Sequence, residues 1–133
     1  MPNVLDYSFD KPIPVPALQA LFRQTSWASN RTDSEVALII ANTPVQLGVW
    51  QADRLVGYAR ALTDGRFRAL IDDVVVDEAQ RGSGIGSEIM RRLVAHLSRV
   101  DEVYLLADDR NAAYYSRLGF VLSQANCFYW PRS

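Results

Sequence analysis

The chain has 133 residues, 49% of them hydrophobic and 22% charged, which is typical of one globular domain with a single core. Its net charge of −1 argues against a dedicated nucleic-acid binder, which usually carries a basic surplus. No apolar run is long enough to cross a bilayer, and residues 1–6 lack the basic and apolar regions of a signal peptide. We therefore expect one domain over residues 1–133 in the cytoplasm, with no nucleic acid or membrane as partner.

The first half of the chain predicts two helices followed by three strands. Residues 17–28 carry apolar side chains at helical spacing, and the Thr-Asp-Ser-Glu run at residues 32–35 is typical of a helix start. Residues 45–50 and 55–62 are strand-like and flank a polar turn, which predicts a β-hairpin. Asp64 and Gly65 then form a strong turn signal before a strand over residues 67–76.

The second half predicts a long helix, a strand, a helix and two final strands. The first helix spans residues 84–99, and its apolar stripe consists of Ile85, Ile89, Leu93, Val94 and Leu97. A short apolar strand follows at residues 103–107, and a helix at residues 109–118 ends at Gly119. The final strands are residues 120–122 and 127–130. This order indicates an α/β fold, a mixed sheet with helices on both faces.

The stretch from Val74 to Ser87 reads as a buried strand, a polar turn, a glycine-rich loop and a helix start. Such a junction directs unpaired backbone N–H groups and the positive end of a helix dipole at one point, which suits a phosphate. Ser87 stands where a dinucleotide fingerprint needs its third glycine, and no lysine follows, as a P-loop requires. The pattern that fits is R-x-x-G-x-G, from Arg81 to Gly86. The alternative is a glycine-rich turn that only joins strand to helix.

This stretch resembles the acyl-CoA signature of the GNAT superfamily of N-acyltransferases, including Val76 and Asp77 before the turn. Residues 112–120 resemble the family's F-Y-x-x-L-G-F segment, with Tyr114 in the usual Phe place. The two motifs cover about the last half of the chain. The resemblance implies a GNAT-like fold with a central, mostly antiparallel twisted sheet. It also implies an N-acetyltransferase that uses acetyl-CoA as cosubstrate and transfers its acetyl group directly to a primary amine.

The resemblance also implies which residues hold acetyl-CoA. The loop amides wrap its pyrophosphate as an anion-binding nest, while Arg81 adds a charge-assisted contact or is simply a solvent-exposed loop arginine. The backbone of Val74 and Val76 contacts the pantetheine arm and thioester, and the Val74 N–H polarises the acetyl carbonyl. The predicted cofactor-binding residues are Val74, Val75, Val76, Arg81, Gly82, Ser83, Gly84, Ile85, Gly86, Ser87, Asp108, Ala112 and Tyr115.

The predicted catalytic residues are Tyr115, Asp72, Asp73 and Val74. Tyr115 matches the family tyrosine that protonates the leaving thiolate, and its ordinary pKa near ~10 keeps it protonated. The alternative is that Tyr115 packs under its helix, as Tyr114 is expected to do. Adjacent helical residues point in different directions, so one of the two faces the cofactor and the other faces elsewhere. Asp72 and Asp73 are candidate bases or attract a cationic amine; alternatively they pair with Arg60 or Arg68. Strand alternation sends them to opposite faces unless a bulge intervenes.

Asp108 is a departure from the family pattern, because many members have an asparagine there whose side chain bonds the pantetheine. A carboxylate accepts but does not donate, and Asp108 alternatively caps the helix. A plastid and cyanobacterial arylalkylamine acetyltransferase-like subset of the family has aspartate at this position, and the chain resembles that subset. This suggests an aromatic or aliphatic amine as the acceptor. Trp27 forms an acceptor wall or belongs to the core, and Cys127, the only cysteine, is expected in the core.

The partners expected are acetyl-CoA, an amine acceptor and, from the family, a second copy in a homodimer. No metal is expected, because the sequence has no His/Cys cluster. The alternative function is a catalytically inactive CoA-binding or regulatory module on the same fold, since fold does not fix function.

Overall fold

The computed structural model describes residues 4–132, which form five strands and four α-helices. Residues 1–3, which begin the stretch predicted to lack a signal peptide, and Ser133 lie outside the described residues. The strands are β1 Asp6–Ser8, β2 Val45–Gln51, β3 Arg54–Thr63, β4 Arg68–Val76 and β5 Glu102–Leu105. The helices are α1 Val15–Phe22, α2 Asp33–Asn42, α3 Ile85–His96 and α4 Ala112–Arg117. None of these four helices has the length and apolar character needed to cross a membrane.

One mixed sheet carries the fold, with its strands in the order β1-β2-β3-β4-β5. The first four strands are antiparallel, and β5 runs parallel to β4 after the crossover through α3. The α/β fold class and the mostly antiparallel sheet predicted from the sequence are confirmed. So is the helix start at residues 32–35, where Thr32 and Glu35 form a reciprocal capping box.

Helices cover both faces of the sheet, as predicted. Leu18 and Phe22 of α1 and Val36 of α2 pack with Tyr58 on one face. On the other face, Ile89 and Leu93 of α3 pack against the remaining inward side chains of the strands. Val94 was placed on the apolar stripe but is 44% exposed. It follows Leu93 directly, so it is turned about 100° away from the buried face.

The sheet opens at the centre of β4. β5 pairs only with Arg68–Ile71 of β4, so the edge of β4 beyond Ile71 has no neighbouring strand among the described residues. The register between β3 and β4 shifts beside this opening: Tyr58 pairs with Val75, whereas Arg60, two residues on, pairs with Asp72, three residues back. Asp73 and Val74 therefore stand opposite the single residue Ala59, which makes a β-bulge. The opening and the bulge together expose backbone groups of β4.

The predicted final strands, residues 120–122 and 127–130, are wrong. The described chain beyond Gly119 makes no ladder with β5, and a short apolar run becomes a strand only when a partner supplies hydrogen bonds. Phe120 packs against the core, but the other large apolar side chains of this segment are exposed: Val121 88%, Leu122 97%, Phe128 91%, Tyr129 82% and Trp130 80%. Cys127, expected in the core, is also exposed.

Candidate active site

A cavity of about 570 Å³ lies beside the open part of β4. Four segments line it: the α1–α2 connection, the end of β4, the loop with the first turn of α3, and α4. The lining residues are Gln24, Thr25, Ser26, Trp27, Val74, Val75, Val76, Arg81, Gly86 and Tyr114. Five of these, Val74, Val75, Val76, Arg81 and Gly86, belong to the predicted acetyl-CoA site.

Hydrogen bonds and an ion pair at Asp77 and Glu78 fix the turn between β4 and α3. The Asp77 side chain is buried, accepts from the Ala79 N–H at 3.1 Å and pairs with Arg54, while the Asp77 N–H bonds the Val56 carbonyl at 2.9 Å. The Glu78 N–H donates to Gln24 Oε1 at 2.8 Å, which joins this turn to the α1–α2 connection. These contacts fix the point from which the glycine loop starts.

The loop presents unpaired backbone donors. The N–H groups of residues 82–87 bond no acceptor among the described residues, whereas the next amide, Glu88, bonds the Gly84 carbonyl at 3.1 Å. Gly82 and Gly84 have φ of +83° and +88°, which favours glycine, and a Cβ at either position meets nothing within 4 Å. The loop is therefore an open row of donors at the start of a helix, which fits an anionic phosphate group.

The charges around the loop are compatible with an anion. The Arg81 side chain donates to the Val76 carbonyl at 3.4 Å and pairs with no carboxylate in residues 4–132. Glu88, on the first turn of α3, is held by Arg91 and Arg92, whose hydrogen bonds lower its pKa to about 2. The nearest carboxylate on α3 is thus neutralised by its own helix, and Arg81 remains a cation without an ionic partner.

The two acidic candidates end up on one side, because the bulge interrupts alternation. Arg60 donates to both carboxylates: its Nε bonds Asp73 at 2.7 Å, and its Nη2 bonds Asp72 at 3.4 Å. Asp73 is 5% exposed and is also held by Arg31, whereas the side chain of Asp72 is 46% exposed. Asp73 therefore shows the predicted alternative of an acid paired with Arg60. Neither carboxylate lines the cavity.

Tyr114 and Tyr115 point in different directions. The Tyr114 hydroxyl lies in the cavity, 3.3 Å from Ser87 Oγ, and 3.1 Å from where a Cβ on Gly86 would be. Tyr115 instead packs against the core and stacks edge-on with Phe120, with ring centroids 6.0 Å apart. Burial raises the pKa of Tyr115, with a smaller contribution from Tyr114. The sequence predicted a site role for Tyr115 and a packing role for Tyr114, whereas Tyr114 is the one that lines the cavity.

Two further predicted residues lie outside the cavity. Asp108 is exposed, pairs with Arg110 at 3.0 Å, and makes no capping hydrogen bond from its side chain. Ala112 is the exposed first residue of α4. The described residues also contain no group of three or more His, Cys, Asp or Glu side chains arranged to hold a metal ion.

Comparison with known proteins identifies the family. Residues 12–120 match the acetyltransferase (GNAT) family, so the chain belongs to it. An uncharacterized N-acetyltransferase ycf52-like from Prochlorococcus marinus is 31% identical over 121 residues, covering 85% of this chain and 67% of that one. The chloroplastic serotonin N-acetyltransferase 2 of rice (Oryza sativa subsp. japonica) is 42% identical over 73 residues, 53% of this chain and 36% of the rice protein.

Solved structures give the same result. A putative acetyltransferase from Deinococcus radiodurans R1 superposes with a TM-score of 0.82 at 27% identity, over 99% of this chain and 91% of that one. A probable acetyltransferase from Staphylococcus aureus shares the fold with a TM-score of 0.80 at 22% identity, over 97% of this chain and all of that one. The protein is thus a GNAT acetyltransferase, which the sequence motifs had indicated, and its relatives include the expected plastid and cyanobacterial proteins.

Proposed function

We propose that this protein transfers an acetyl group from acetyl-CoA directly to a primary amine. The observation that carries the proposal is the row of unpaired N–H groups over residues 82–87, which adjoins the open edge of β4. A pyrophosphate needs several donors at close range, and residues 82–87 supply them without any side chain in the way. Arg81 adds a positive charge without an ionic partner at the same place.

The reactive end of acetyl-CoA lies along β4 in this proposal. Pantetheine is an amide-containing chain, so it pairs with strand backbone that has no neighbouring strand, which is the condition of β4 beyond Ile71. Val74 lies in the bulge and lines the cavity. Its N–H donates to the acetyl carbonyl and stabilises the negative charge that develops on that oxygen.

The reaction needs no covalent enzyme intermediate. The amine nitrogen attacks the thioester carbon, a C–N bond forms, and the C–S bond breaks as the sulfur leaves with its electron pair. The nitrogen loses one proton and the thiolate gains one, so the products are an amide and free CoA. The only cysteine, Cys127, is exposed on the segment beyond α4 and does not line the cavity.

A tyrosine hydroxyl supplies the proton to the thiolate. The family motif assigns this role to Tyr115, whose raised pKa keeps it protonated at neutral pH. The position of Tyr114 supports a different role for that residue, because its hydroxyl lies over Gly86 and beside Ser87 on the phosphate loop. We propose that Tyr114 contacts acetyl-CoA, so one tyrosine serves chemistry and the other serves binding.

For the base, we propose Asp72, acting through water. Asp73 accepts three hydrogen bonds from arginines at 2.7–3.1 Å, which use most of its acceptor capacity, whereas Asp72 has one long contact. We expect Asp72→Asn to lower kcat at least about tenfold and to change the pH–rate profile, because the attacking amine loses its proton acceptor. Asp73→Asn should lower kcat and leave the shape of the profile unchanged. Unchanged profiles in both variants would exclude both carboxylates.

The acceptor enters from the side of the α1–α2 connection. Trp27 is 52% exposed there and presents an aromatic face to the cavity, which suits an aromatic or aliphatic amine. The rice relative is named a serotonin N-acetyltransferase, which is consistent with an arylalkylamine acceptor for this chain. A cytoplasmic location is part of the same proposal.

Thiol release with an amine panel tests the function. The panel contains arylalkylamines, aliphatic diamines, a lysine peptide and a peptide with a free N-terminus, each incubated with protein and acetyl-CoA. We expect an arylalkylamine to give the highest kcat/KM and mass spectrometry to detect the acetylated amine in amounts equal to released CoA. Acetyl-CoA binding with no turnover on any amine would support the inactive CoA-binding module instead.

We further propose that two copies associate through the segment beyond α4. Phe128, Tyr129 and Trp130 are each at least 80% exposed, and an aromatic side chain buries about 150–250 Å². Three of them approach the roughly 800 Å² per partner of a standard interface. Light scattering should give twice the chain mass for the wild type and the monomer mass for Phe128→Ser/Trp130→Ser. Phe67→Ser is the control, since Phe67 is exposed elsewhere. A monomeric wild type would contradict the proposal.

A further inference from the structure

Arg31 and Asp73, 42 residues apart in sequence, form an ion pair between two segments that each contribute residues to the cavity wall. The two terminal nitrogens of Arg31 donate to the two carboxylate oxygens of Asp73 at 3.0 and 3.1 Å. This is the bidentate geometry that gives an arginine–carboxylate pair a fixed orientation. Arg31 belongs to the α1–α2 connection and Asp73 to β4. The pair therefore connects the acceptor side of the cavity to the strand proposed to hold the thioester.

Asp73 has an unusual backbone. Its φ is +52°, in the left-handed region that residues with a Cβ rarely adopt. It is the first residue of the β4 bulge, and Val74 is the second. Such a conformation persists only where the surroundings hold it in place. Two arginines hold the Asp73 side chain in place: Arg31, and Arg60, whose Nε donates to the carboxylate at 2.7 Å.

Arg31 is itself held rigidly. Its guanidinium lies 4.8 Å from the ring centroid of Phe22 and 5.7 Å from that of Trp27. The Arg31 carbonyl accepts a hydrogen bond from Gln19 Nε2 at 2.8 Å. Stacking on aromatic rings and bidentate pairing both depend on the planar guanidinium, which lysine does not reproduce. The contact therefore runs from α1 and the cavity residue Trp27 through Arg31 to the bulge.

A buried ion pair by itself is weak evidence for a role in stability, since its desolvation penalty offsets its attraction. The position of this pair is more informative. It fixes the one residue whose backbone sets the direction of the next N–H, that of Val74. A displaced oxyanion donor costs rate far more than it costs affinity for the ground state.

We propose that Arg31 is a positioning residue for acetyl transfer. It clamps Asp73 in the left-handed conformation, which holds the β4 bulge and orients the Val74 N–H toward the acetyl carbonyl. Through its contact with Trp27, Arg31 also fixes the position of the acceptor side of the cavity relative to the Val74 N–H. The inference rests on the proposed function, and it adds a residue outside both sequence motifs.

The test compares Arg31→Met and Arg31→Lys with Arg68→Met. Arg68 is an exposed arginine of β4 and pairs with Glu102 outside the cavity, so it controls for the loss of an arginine that is paired with a carboxylate near β4. Three quantities are measured on each full chain: the amide resonance and hydrogen exchange of Val74, the Kd for acetyl-CoA and for CoA, and kcat with the best amine of the panel.

We expect Arg31→Met to shift the Val74 resonance and speed its exchange at least about tenfold, with a fall in kcat of at least about tenfold. The Kd for CoA should stay within about threefold, because the phosphate loop carries that affinity. Arg31→Lys should resemble Arg31→Met, because lysine keeps the positive charge but has no planar guanidinium to make the two parallel hydrogen bonds to Asp73. Arg68→Met should match the wild type in every measurement.

An unchanged Val74 amide together with kcat within about twofold in folded Arg31→Met would overturn the inference. If that variant does not fold, Arg31→Lys and Asp73→Asn decide in its place, because asparagine tolerates the left-handed region. Failure of the proposed function gives a different result: the wild type does not bind acetyl-CoA. The amide measurement still decides in that case, since it needs neither acetyl-CoA nor an acceptor.

Discussion

Gly84→Glu should weaken acetyl-CoA binding at least about a hundredfold. The substitution puts a carboxylate into the row of loop amides, where the phosphates bind in our account, and like charges about 4 Å apart near a protein surface repel by about 4 kcal/mol. It also forces a side chain into φ of +88°. Nothing lies within 4 Å of the added Cβ, so the fold itself should survive. Titration followed by the fluorescence of Trp27, which lines the cavity, measures the effect.

The chain offers a closely matched control in Gly65→Glu. Gly65 has φ of +80°, and a Cβ there also meets nothing within 4 Å, so the backbone strain and the change of charge are the same. It lies in the turn between β3 and β4, away from the cavity. We expect its affinity to stay within about threefold of the wild type. Equal losses in both variants would attribute the effect to strain and contradict a phosphate site at the loop.

Tyr115→Phe should lower kcat at least about tenfold while the KM for acetyl-CoA stays within about threefold. Removal of a general acid slows the protonation of the departing thiolate and leaves binding almost unchanged. Tyr114→Phe should do the reverse, raising the KM for acetyl-CoA several-fold with kcat nearly intact, because its hydroxyl lies over Gly86 and beside Ser87. Steady-state kinetics on both variants, at several pH values, measures the two effects.

Each tyrosine is the natural control for the other. They are adjacent, their ring centroids are 5.1 Å apart, and the same hydroxyl is removed from the same helix. A fall in kcat confined to Tyr114→Phe would reassign the acid to the hydroxyl that lines the cavity. Full activity in both variants would remove the tyrosine acid from the mechanism.

Local patterns explain why much of the fold was predictable. The capping box of Thr32 and Glu35, the turn at Gly65 and the left-handed Gly119 at the end of α4 each depend on residues a few positions apart. The glycine loop is similarly local, since Gly82 and Gly84 adopt positive φ, which glycine does without a steric penalty. Such features are determined by short-range sterics and hydrogen bonding, which a sequence shows directly.

The features that were missed depend on distant partners. Asp73 meets Arg31 across 42 residues, and no spacing rule connects an arginine in a helix connection to a strand bulge. For Asp72 and Asp73 the sequence left two arrangements open, opposite faces or a bulge, because one extra residue cancels the alternation and only the pairing with β3 decides between them. The strands predicted for residues 120–122 and 127–130 failed for the same reason, since pairing requires an edge that the segment does not meet.

Which of Tyr114 and Tyr115 faces the cavity depends partly on a local motif and partly on distant contacts. The motif predicts that one of the two adjacent rings faces acetyl-CoA, but the rotation of α4 decides which one. In this structure Tyr115 packs with Phe120 and Tyr114 turns toward Ser87. The helix spans only Ala112–Arg117, so its orientation depends on its contacts with the core rather than on its own sequence.

Calorimetric titration of the wild-type protein with acetyl-CoA, alongside CoA, tests the central claim most directly. If the unpaired loop amides and the open edge of β4 form the cofactor site, one acetyl-CoA should bind per chain, with a Kd in the micromolar range and CoA of similar affinity. A folded protein that binds neither compound would contradict the account, because an acetyltransferase cannot work without its acetyl donor.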